Sequence, residues 1–513
     1  HRKVLHGQNP AADRCTVFIH HGRFRQHHGL SGSIVLTTQS NKLPTARRQT
    51  ACRKHGEPLA TTAQRNQPSR RDLTQGSLNR HVLRLTGPMI IGLLAIFAVD
   101  LADAFWVARL GTLELAALGF CFPAVHVIFS ISLGLSTAAT AVMAQQIGAG
   151  STDGARNFAR DSLIVSVVLM AIVAAVGLLT MDLVFTAIGA TGTTLAQAKS
   201  FMSVFYPSAL VLVIPMVSNG MLRAAGDTRW PAIIMVIVAV LNAALDPLLI
   251  FGAGPIPALG LKGAAWATLL ARVVSVFIAL GILHYRERLI SWSRPTWQGL
   301  VESLRHIGQI GLPSATTNAI TPLATGLVTA VVAGFGDAAV AGLTTAMRIE
   351  VCALVGVFAL AVGSFPVMAQ NYGAGNSERL LTARKFTLST GVVISLVVAI
   401  PVYLSAAPLA GIFISGGLVQ ETATTFLKIV PWSWAGFALV FMISSIHMAT
   451  GRPFLGASLT LVRLFVLLIP LTWLLSRHYG LAGVFMAFVL ANPLTAMAGL
   501  ASFYLFKPRT RAR

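Results

Sequence analysis

A nine-residue segment of this chain occurs twice, at matching places in two long halves. Residues 142–150 read VMAQQIGAG and residues 367–375 read VMAQNYGAG, so seven of the nine positions are identical. The same offset of 225 residues relates three further pairs: Pro88 and Pro313, Gly111 and Gly336, and Gly226 and Gly451. A repeat at a fixed offset indicates a duplicated structural unit. We therefore expect the chain to fold as two copies of one unit, joined head to tail.

The composition excludes a water-soluble globular domain. Of the 513 residues, 55% are hydrophobic and 11% are charged, and the mean hydropathy is +0.71. A soluble domain carries about 25% charged residues. This chain therefore has too few charges to cover a water-facing surface, and its predicted surrounding is a lipid bilayer.

About twelve apolar runs reach the roughly 20 residues that a helix needs to cross a bilayer. The six runs of the first half cover residues 83–110, 115–147, 159–183, 201–221, 231–251 and 263–283. The six runs of the second half cover residues 307–334, 338–370, 386–404, 427–448, 455–475 and 481–506. The predicted fold is an all-α membrane protein with two six-helix bundles. Because each half has an even number of spans, the two copies point the same way, as an internal parallel repeat.

The regions outside the runs complete the predicted domain organisation. Residues 1–79 are basic and polar, with too few apolar residues for a core, so we expect a disordered N-terminal arm. The remaining predicted parts are a first bundle (80–285), a cytoplasmic connector (286–305), a second bundle (306–507) and a basic C-terminal tail (508–513).

The net charge of +22 does not indicate a nucleic-acid partner, because of where the basic residues lie. Fifteen of the 39 Lys and Arg residues precede residue 85, and most of the others lie in short gaps between apolar runs. Even-numbered gaps hold twelve of them and odd-numbered gaps hold five. Basic residues accumulate in cytoplasmic loops. This predicts a multi-pass protein of the cell (inner) membrane, with both termini in the cytoplasm.

Charged residues inside the runs are the candidates for function, because a charge at mid-bilayer costs about 2.5 to 3.5 kcal/mol on insertion scales. The first run carries Asp100 and Asp103, and the fifth carries Asn242 and Asp246. At the repeat offset, the second half has uncharged residues in place of the first two. The carboxylate cluster therefore belongs to the first half alone.

The depth of these residues predicts that they lie together. Both runs enter from the cytoplasmic side and carry their acids late, so all four residues fall in the outer half of the membrane. Asp100 and Asp103 share one helix face, as do Asn242 and Asp246. Burial and like charge both favour the neutral form of a carboxyl group, so such a cluster can bind and release protons. A purely structural role, with neighbouring Ser, Thr or Asn satisfying the acids, remains open.

Three other polar residues are weaker candidates. Asn219 lies late in the fourth run, nearer the cytoplasm than the acids. Arg348 and Glu350 lie in the eighth run and could form an internal ion pair or line the substrate path. The four cysteines have no metal-binding or disulfide spacing, and no paired catalytic constellation is present. We therefore expect neither an enzyme nor a metal site.

Three segments resemble the multidrug and toxic compound extrusion (MATE) family: residues 103–111, 219–227 and 241–250. The resemblance covers residues 80–507. It implies two six-helix bundles and efflux driven by a cation gradient, with Asp103, Asn242 and Asp246 as the cation site of the first bundle. It also strengthens Asn219 as a site residue. Asp100 is additional to the family pattern, and its role is open.

The second half is similar to the DNA-damage-inducible branch of that family, which is often proton-coupled. The similarity lies in Arg348-x-Glu350 and in residues 370–375. The seventh and tenth runs lack the acids that some family members use as a second site. The predicted function is therefore export of cationic or amphipathic organic compounds by a monomeric antiporter, without cofactors, coupled to protons or alternatively sodium. A flippase for a lipid-linked or amphipathic metabolite is the alternative class.

Overall fold

The computed structural model describes residues 72–255, 257–291, 293–412 and 416–505. Most of the predicted arm, residues 1–71, and the predicted tail, residues 508–513, lie outside these ranges. Most of the described chain is helical. This follows from the apolar sequence, because in lipid each backbone N–H and C=O group needs a hydrogen-bond partner within the protein.

Six long helices form the first half, one for each predicted run. They are α1 (Leu78–Ala108), α2 (Thr112–Gly148), α3 (Thr152–Ala187), α4 (Gly192–Ala224), α5 (Arg229–Phe251) and α6 (Leu261–Gly281). A π-helical turn, Ile282–Arg286, extends α6. Helix α4 packs against α2, α3 and α6, and α5 packs against α1 and α6, so the six helices form one bundle.

The second half repeats this plan with more interruptions. Its helices are α7 (Trp297–Ala333), α8 (Asp337–Ala353), α9 (Val355–Gly373), α10 (Ser377–Leu404), α11 (Ala406–Gly411), α12 (Gly417–Ile429), α13 (Trp434–Ala449), α14 (Pro453–Leu461) and α15 (Ile469–Leu505). A 3-10 turn, Val430–Ser433, joins α12 to α13, and a π-helical stretch, Val462–Leu468, joins α14 to α15. Helix α15 bends at Gly480, whose φ of 58° and ψ of −141° are not helical.

The predicted architecture is confirmed. Within the described ranges, eleven helical stretches are long and apolar enough to cross a membrane. The last of them, Pro453–Leu505, contains the bend at Gly480 and supplies two crossings, which gives twelve. The sequence repeat also has a structural cause at its strongest point. Gly150 and Gly375 end the turns after α2 and α9 with φ values of 77° and 71°, a left-handed conformation that favours glycine.

Three predicted boundaries differ from the structure. The eighth run is two helices, because the chain leaves helical geometry at Leu354, with φ −86° and ψ 5°. The connector ends before Trp297, since the polar residues that resembled a loop lie on the first turns of α7. The arm does not extend to residue 79, because Leu78 begins α1 and Leu73 is only 1% exposed.

The two bundles meet at the end of the molecule that carries the turns after α2 and α9, which we call the turn end. Gly148 packs against the carbonyl of Gln370, and Gly373 packs against the carbonyl of Gln145. Both contacts join the same two repeat positions in exchanged roles. Small residues let helix backbones approach this closely in membranes. The contact is therefore symmetric under the internal repeat.

Two glutamines strengthen the same interface in equivalent ways. Nε2 of Gln145 donates to the carbonyl of Ala449 at 3.0 Å, and Nε2 of Gln370 donates to the carbonyl of Ala224 at 2.7 Å. Each acceptor lies at the C-terminal end of a helix, where backbone carbonyls lack an intrahelical partner. The exchanged pairing is what an internal two-fold axis parallel to the helices produces.

The segment before α1 breaks this symmetry. The N–H of Leu73 donates to Oε1 of Gln370 at 3.1 Å, and its carbonyl accepts from Nδ2 of Asn371 at 3.2 Å. The equivalent position of the second half, Gln298, already lies inside α7. The chain that enters the first bundle therefore docks on the second bundle, and only Gln370 gains a hydrogen bond from such a segment.

Candidate functional site

Asp103 of α1 and Asp246 of α5 face each other near the end of the bundle opposite to the turn end. Each lies five residues before the last residue of its helix. Their carboxyl groups approach within hydrogen-bonding range of each other. The structure thus brings these two predicted site residues together.

No other group satisfies this acid pair. Asp246 is 0% exposed and Asp103 is half-buried. In the described part of the chain, no group donates a hydrogen bond to either oxygen of Asp246 or to Oδ1 of Asp103. Two ionised carboxylates at this separation repel each other strongly at low dielectric, and a hydrogen bond between them requires a proton on one of them. The geometry suits one proton held between two carboxyl groups.

Asn242 adds a neutral acceptor one helical turn before Asp246. Asn242 is 1% exposed, and its Nδ2 lies 3.4 Å from Oγ1 of Thr268 on α6. Its Oδ1 has no hydrogen-bond partner among residues 72–255, 257–291, 293–412 and 416–505. Because Asn242 and Asp246 share a helix face, that oxygen can accept from a guest beside the acid pair. Thr268 was not predicted, since a lone threonine in an apolar run gives no signal.

Asp100 lies at the surface of the bundle, near the acid pair. It is exposed, and the charges of Asp103 and of Arg272 on α6 act on it. The guanidinium carbon of Arg272 lies 5.9 Å from the ring centroid of Phe129. No ion pair within 4.0 Å joins Arg272 to another described residue. Arg272, to which the sequence assigned no role, therefore offsets part of the negative charge without contacting it.

Asn219 does not join this cluster. It lies five residues before the end of α4, whereas Asp246 lies 17 residues after the start of α5, across a short turn. With a rise of 1.5 Å per residue, the two side chains differ in depth by about 18 Å. Asn219 is 6% exposed, and next to it Gly220 packs against Ser136 of α2. The role that the resemblance gave to Asn219 stays a prediction.

The suggested ion pair between Arg348 and Glu350 is not formed. Residues two apart point to different faces of a helix, and in α8 Arg348 is exposed while Glu350 is half-buried. Oε1 of Glu350 instead accepts a hydrogen bond from Nε1 of Trp434 at 2.7 Å. The charge that acts on Glu350 is that of Arg463 in the π-helical stretch.

Arg463 belongs to a buried polar network of the second bundle. It is 9% exposed, donates to Oδ1 of Asn492 at 3.2 Å, and its guanidinium carbon lies 5.0 Å from the ring centroid of Phe437. Nδ2 of Asn492 in turn donates to Ser433 at 3.0 Å. The sequence showed a charge inside a span at Arg463, but it gave no sign of these partners.

The chemistry available in these sites is binding of protons and organic cations. Carboxyl oxygens in the first bundle offer charge and acceptors, and one asparagine adds a neutral acceptor. Across the described ranges, no three His, Cys, Asp or Glu side chains are grouped so that they could hold a metal ion.

Comparison with known proteins decides the family. The MatE family profile matches residues 88–248 and 313–474, two segments that begin 225 residues apart. The chain belongs to the MatE family. MatE proteins are transporters rather than enzymes, so this chain is a membrane transporter that exports small organic compounds.

Individual MatE relatives match over nearly their whole length. A FAD transporter of Shewanella oneidensis is 33% identical over 443 residues, which cover 85% of this chain and 96% of that protein. A probable multidrug resistance protein NorM of Thermotoga maritima is 24% identical, covering 76% of this chain and 84% of that protein. The crystal structure of a mutant of the Vibrio cholerae MATE transporter VcmN has a TM-score of 0.79 at 29% identity, covering 83% and 96%.

Proposed function

We propose that this MatE protein exports cationic or amphipathic organic compounds in exchange for protons. The observation that supports this most is the pair of Asp103 and Asp246, two carboxyl groups with each other as neighbours and little else to satisfy them. A pair of this kind binds either a proton or the positive charge of a guest. Proton and cargo therefore compete for one site, which is the requirement for antiport.

The proposed cycle follows from that competition. A deprotonated pair attracts an organic cation, and the unpartnered Oδ1 of Asn242 accepts a hydrogen bond from it. Protonation removes the negative charge, so the cation is released. Because protonated and cation-bound forms interact differently with the two bundle arrangements, each ligand shifts the population between them.

The bundle contacts indicate which arrangement the structure represents. The contacts at Gly148 and Gly373 and the glutamine hydrogen bonds all lie at the turn end. The acid pair lies toward the opposite end. In the proposed orientation the turn end is cytoplasmic, so this arrangement is closed to the cytoplasm. A cycle requires a second arrangement in which the turn-end contacts separate.

The proposed location is the cell (inner) membrane, with the protein acting as a monomer and both termini in the cytoplasm. Leu73 docks at the turn end, and Ser502 of α15 bonds with His447 in the last turn of α13. Both ends of the described chain therefore lie on one side, which supports the proposal. Protons are proposed rather than sodium, because one proton fits between two carboxyl groups and no further ligands surround them among the described residues.

One observation favours a second class of substrate, a flavin nucleotide. The relative that is 33% identical is described as a FAD transporter, and FAD carries negatively charged phosphates beside flat rings. The buried Arg463 and the half-buried Arg272 could attract such an anion. However, an anion binds best when the acids are protonated, so proton and anion would move together. The geometry of the acid pair therefore favours a cation as the exchanged substrate.

The proposal is tested by exchange in proteoliposomes under an imposed proton or sodium gradient. Wild type should move a fluorescent cation against a proton gradient, and Asp103→Asn should reduce that movement to background. Asp182→Asn is the matched control, since Asp182 is exposed and pairs only at the surface with Lys199 at 2.5 Å. Including FAD as a competitor separates the two substrate classes. Proton-driven movement in Asp103→Asn at the wild-type rate would contradict the proposal.

A further inference from the structure

Glu350 is a carboxyl group inside the second bundle that has only one strong partner. Its Oε1 accepts from the indole of Trp434 at 2.7 Å. Arg463 is close enough for its charge to act on Glu350, yet no ion pair within 4.0 Å joins these two described residues. The guanidinium of Arg463 is directed to Asn492 and Phe437 instead. A carboxylate in hydrocarbon is costly unless it is paired with a cation or takes up a proton.

The helices around Glu350 are interrupted at the same level. The break between α8 and α9 falls at Leu354, whose N–H bonds to the carbonyl of Glu350 itself at 2.9 Å. Trp434 directly follows the 3-10 turn Val430–Ser433, and Arg463 is the second residue of the π-helical stretch. Interrupted membrane helices mark ion and substrate sites in transporters, and π-helical segments recur at functional positions.

The first bundle has none of these interruptions at the equivalent positions. By the repeat offset, Glu350 corresponds to Val125 inside α2, and Trp434 corresponds to Ala209 inside α4. Both α2 and α4 are continuous through these residues. The irregular backbone is therefore associated with the charged side chains of the second half and not with the repeat itself.

We propose that Glu350 is a second proton-binding carboxyl group of the transport cycle, alternating between a proton and the charge of Arg463. This rests on the proposed function as a proton antiporter. In the step, a proton from water adds to a Glu350 carboxylate oxygen and gives a neutral carboxylic acid, while Arg463 keeps its charge. The attraction between Glu350 and Arg463 is then lost, and α8 can move relative to α14 at the break beside Leu354.

The surroundings of Glu350 leave Arg463 as its charged neighbour. On its own helix Arg348 is exposed, and on α12 Glu421 and Lys428 are exposed. The charged residues of α7 lie in its first three turns at the turn end, and α9 and α11 carry none. Trp434 contributes a neutral donor. A pH response of this region can therefore be assigned to Glu350.

Infrared difference spectroscopy of the purified full chain tests the proposal. Lowering the pH should produce a carboxylic acid C=O band that is absent in Glu350→Gln, present but displaced in Glu350→Asp, and unchanged in Glu421→Gln, the exposed control. The Asp103–Asp246 pair should give a separate band that survives in Glu350→Gln and disappears in Asp103→Asn. That surviving band also shows that Glu350→Gln is folded.

A transport measurement completes the test. The proton-to-substrate ratio, obtained from reversal potentials in proteoliposomes, should fall by about one in Glu350→Gln, because one carboxyl group binds one proton. An unchanged ratio together with identical infrared spectra for wild type and Glu350→Gln would overturn the role of Glu350. Absence of proton coupling in wild type would instead refute the proposed function, and the infrared titration would still decide whether Glu350 binds a proton.

Discussion

In the first bundle, Asp103 and Asp246 face each other and have few other partners, whereas the equivalent positions of the second bundle are Val328 and Ile469. The second bundle holds its charge on other helices, at Glu350 and Arg463. There the side chains are tied into a network with Trp434, Asn492 and Ser433. The duplication thus preserved the helices and the glycine turns, while the polar groups diverged. The repeat supplies the scaffold, and the differences between its copies supply the chemistry.

The largest expected effect comes from the first bundle. Asp246→Asn should abolish proton-driven export, because an amide cannot hold the shared proton and Asp103 then lacks its partner. The loss should equal that of Asp103→Asn, and the double variant should be no worse, since the two residues act as one site. Cation transport in proteoliposomes measures this. A double variant clearly less active than either single one would show two independent sites.

An effect on stability rather than coupling is expected when the second-bundle network is broken. Arg463→Leu should lower the free energy of unfolding by about 3 to 5 kcal/mol, because it leaves Glu350 and Asn492 buried without their cation. Reversible unfolding in mixed micelles measures the change. Arg477→Leu is the control, since Arg477 is exposed beside Trp473, and its effect should stay within about 0.5 kcal/mol. Equal effects for both arginines would remove the network from the account.

The smallest effect concerns the interface where the two copies are most alike. Gln145→Ala and Gln370→Ala each remove one hydrogen bond between the bundles, worth about 1 kcal/mol. Gln370→Ala also removes the bond from Leu73, so its effect should be about twice as large. Both variants should also shift the bundles away from closure at the turn end, which distance measurements between labels on the turns after α2 and α9 can detect. Identical effects would mean that the segment before α1 adds nothing to the interface.

The sequence predicted the fold well because its signals are long-range and redundant. The apolar runs and the fixed offset each indicate twelve spans in two parallel halves. The boundaries failed where local chemistry departs from that pattern. The break at Leu354 lies inside a continuous apolar run, and no glycine or proline marks it. The first turns of α7 are polar because they are exposed, not because they form a loop.

The site was predicted in part, for a similar reason. Depth along the chain placed Asp103 and Asp246 at one level, and the structure agrees. It also placed Asn219 nearer the cytoplasm, and the structure puts it about 18 Å from the acids in depth, by the helical rise. Which side chains face each other across helices depends on rotation about each axis. That rotation could not be derived for Glu350, whose partner Trp434 lies 84 residues further along the chain.

The central claim is that one proton and one organic cation compete for the Asp103–Asp246 pair. It is tested most directly by adding a cationic substrate to the purified protein in weakly buffered detergent solution and measuring the protons released. We predict about one proton released per cation bound by wild type, since the pair shares a single proton, and none by Asp103→Asn. Binding of the cation to wild type without release of a proton would contradict the account.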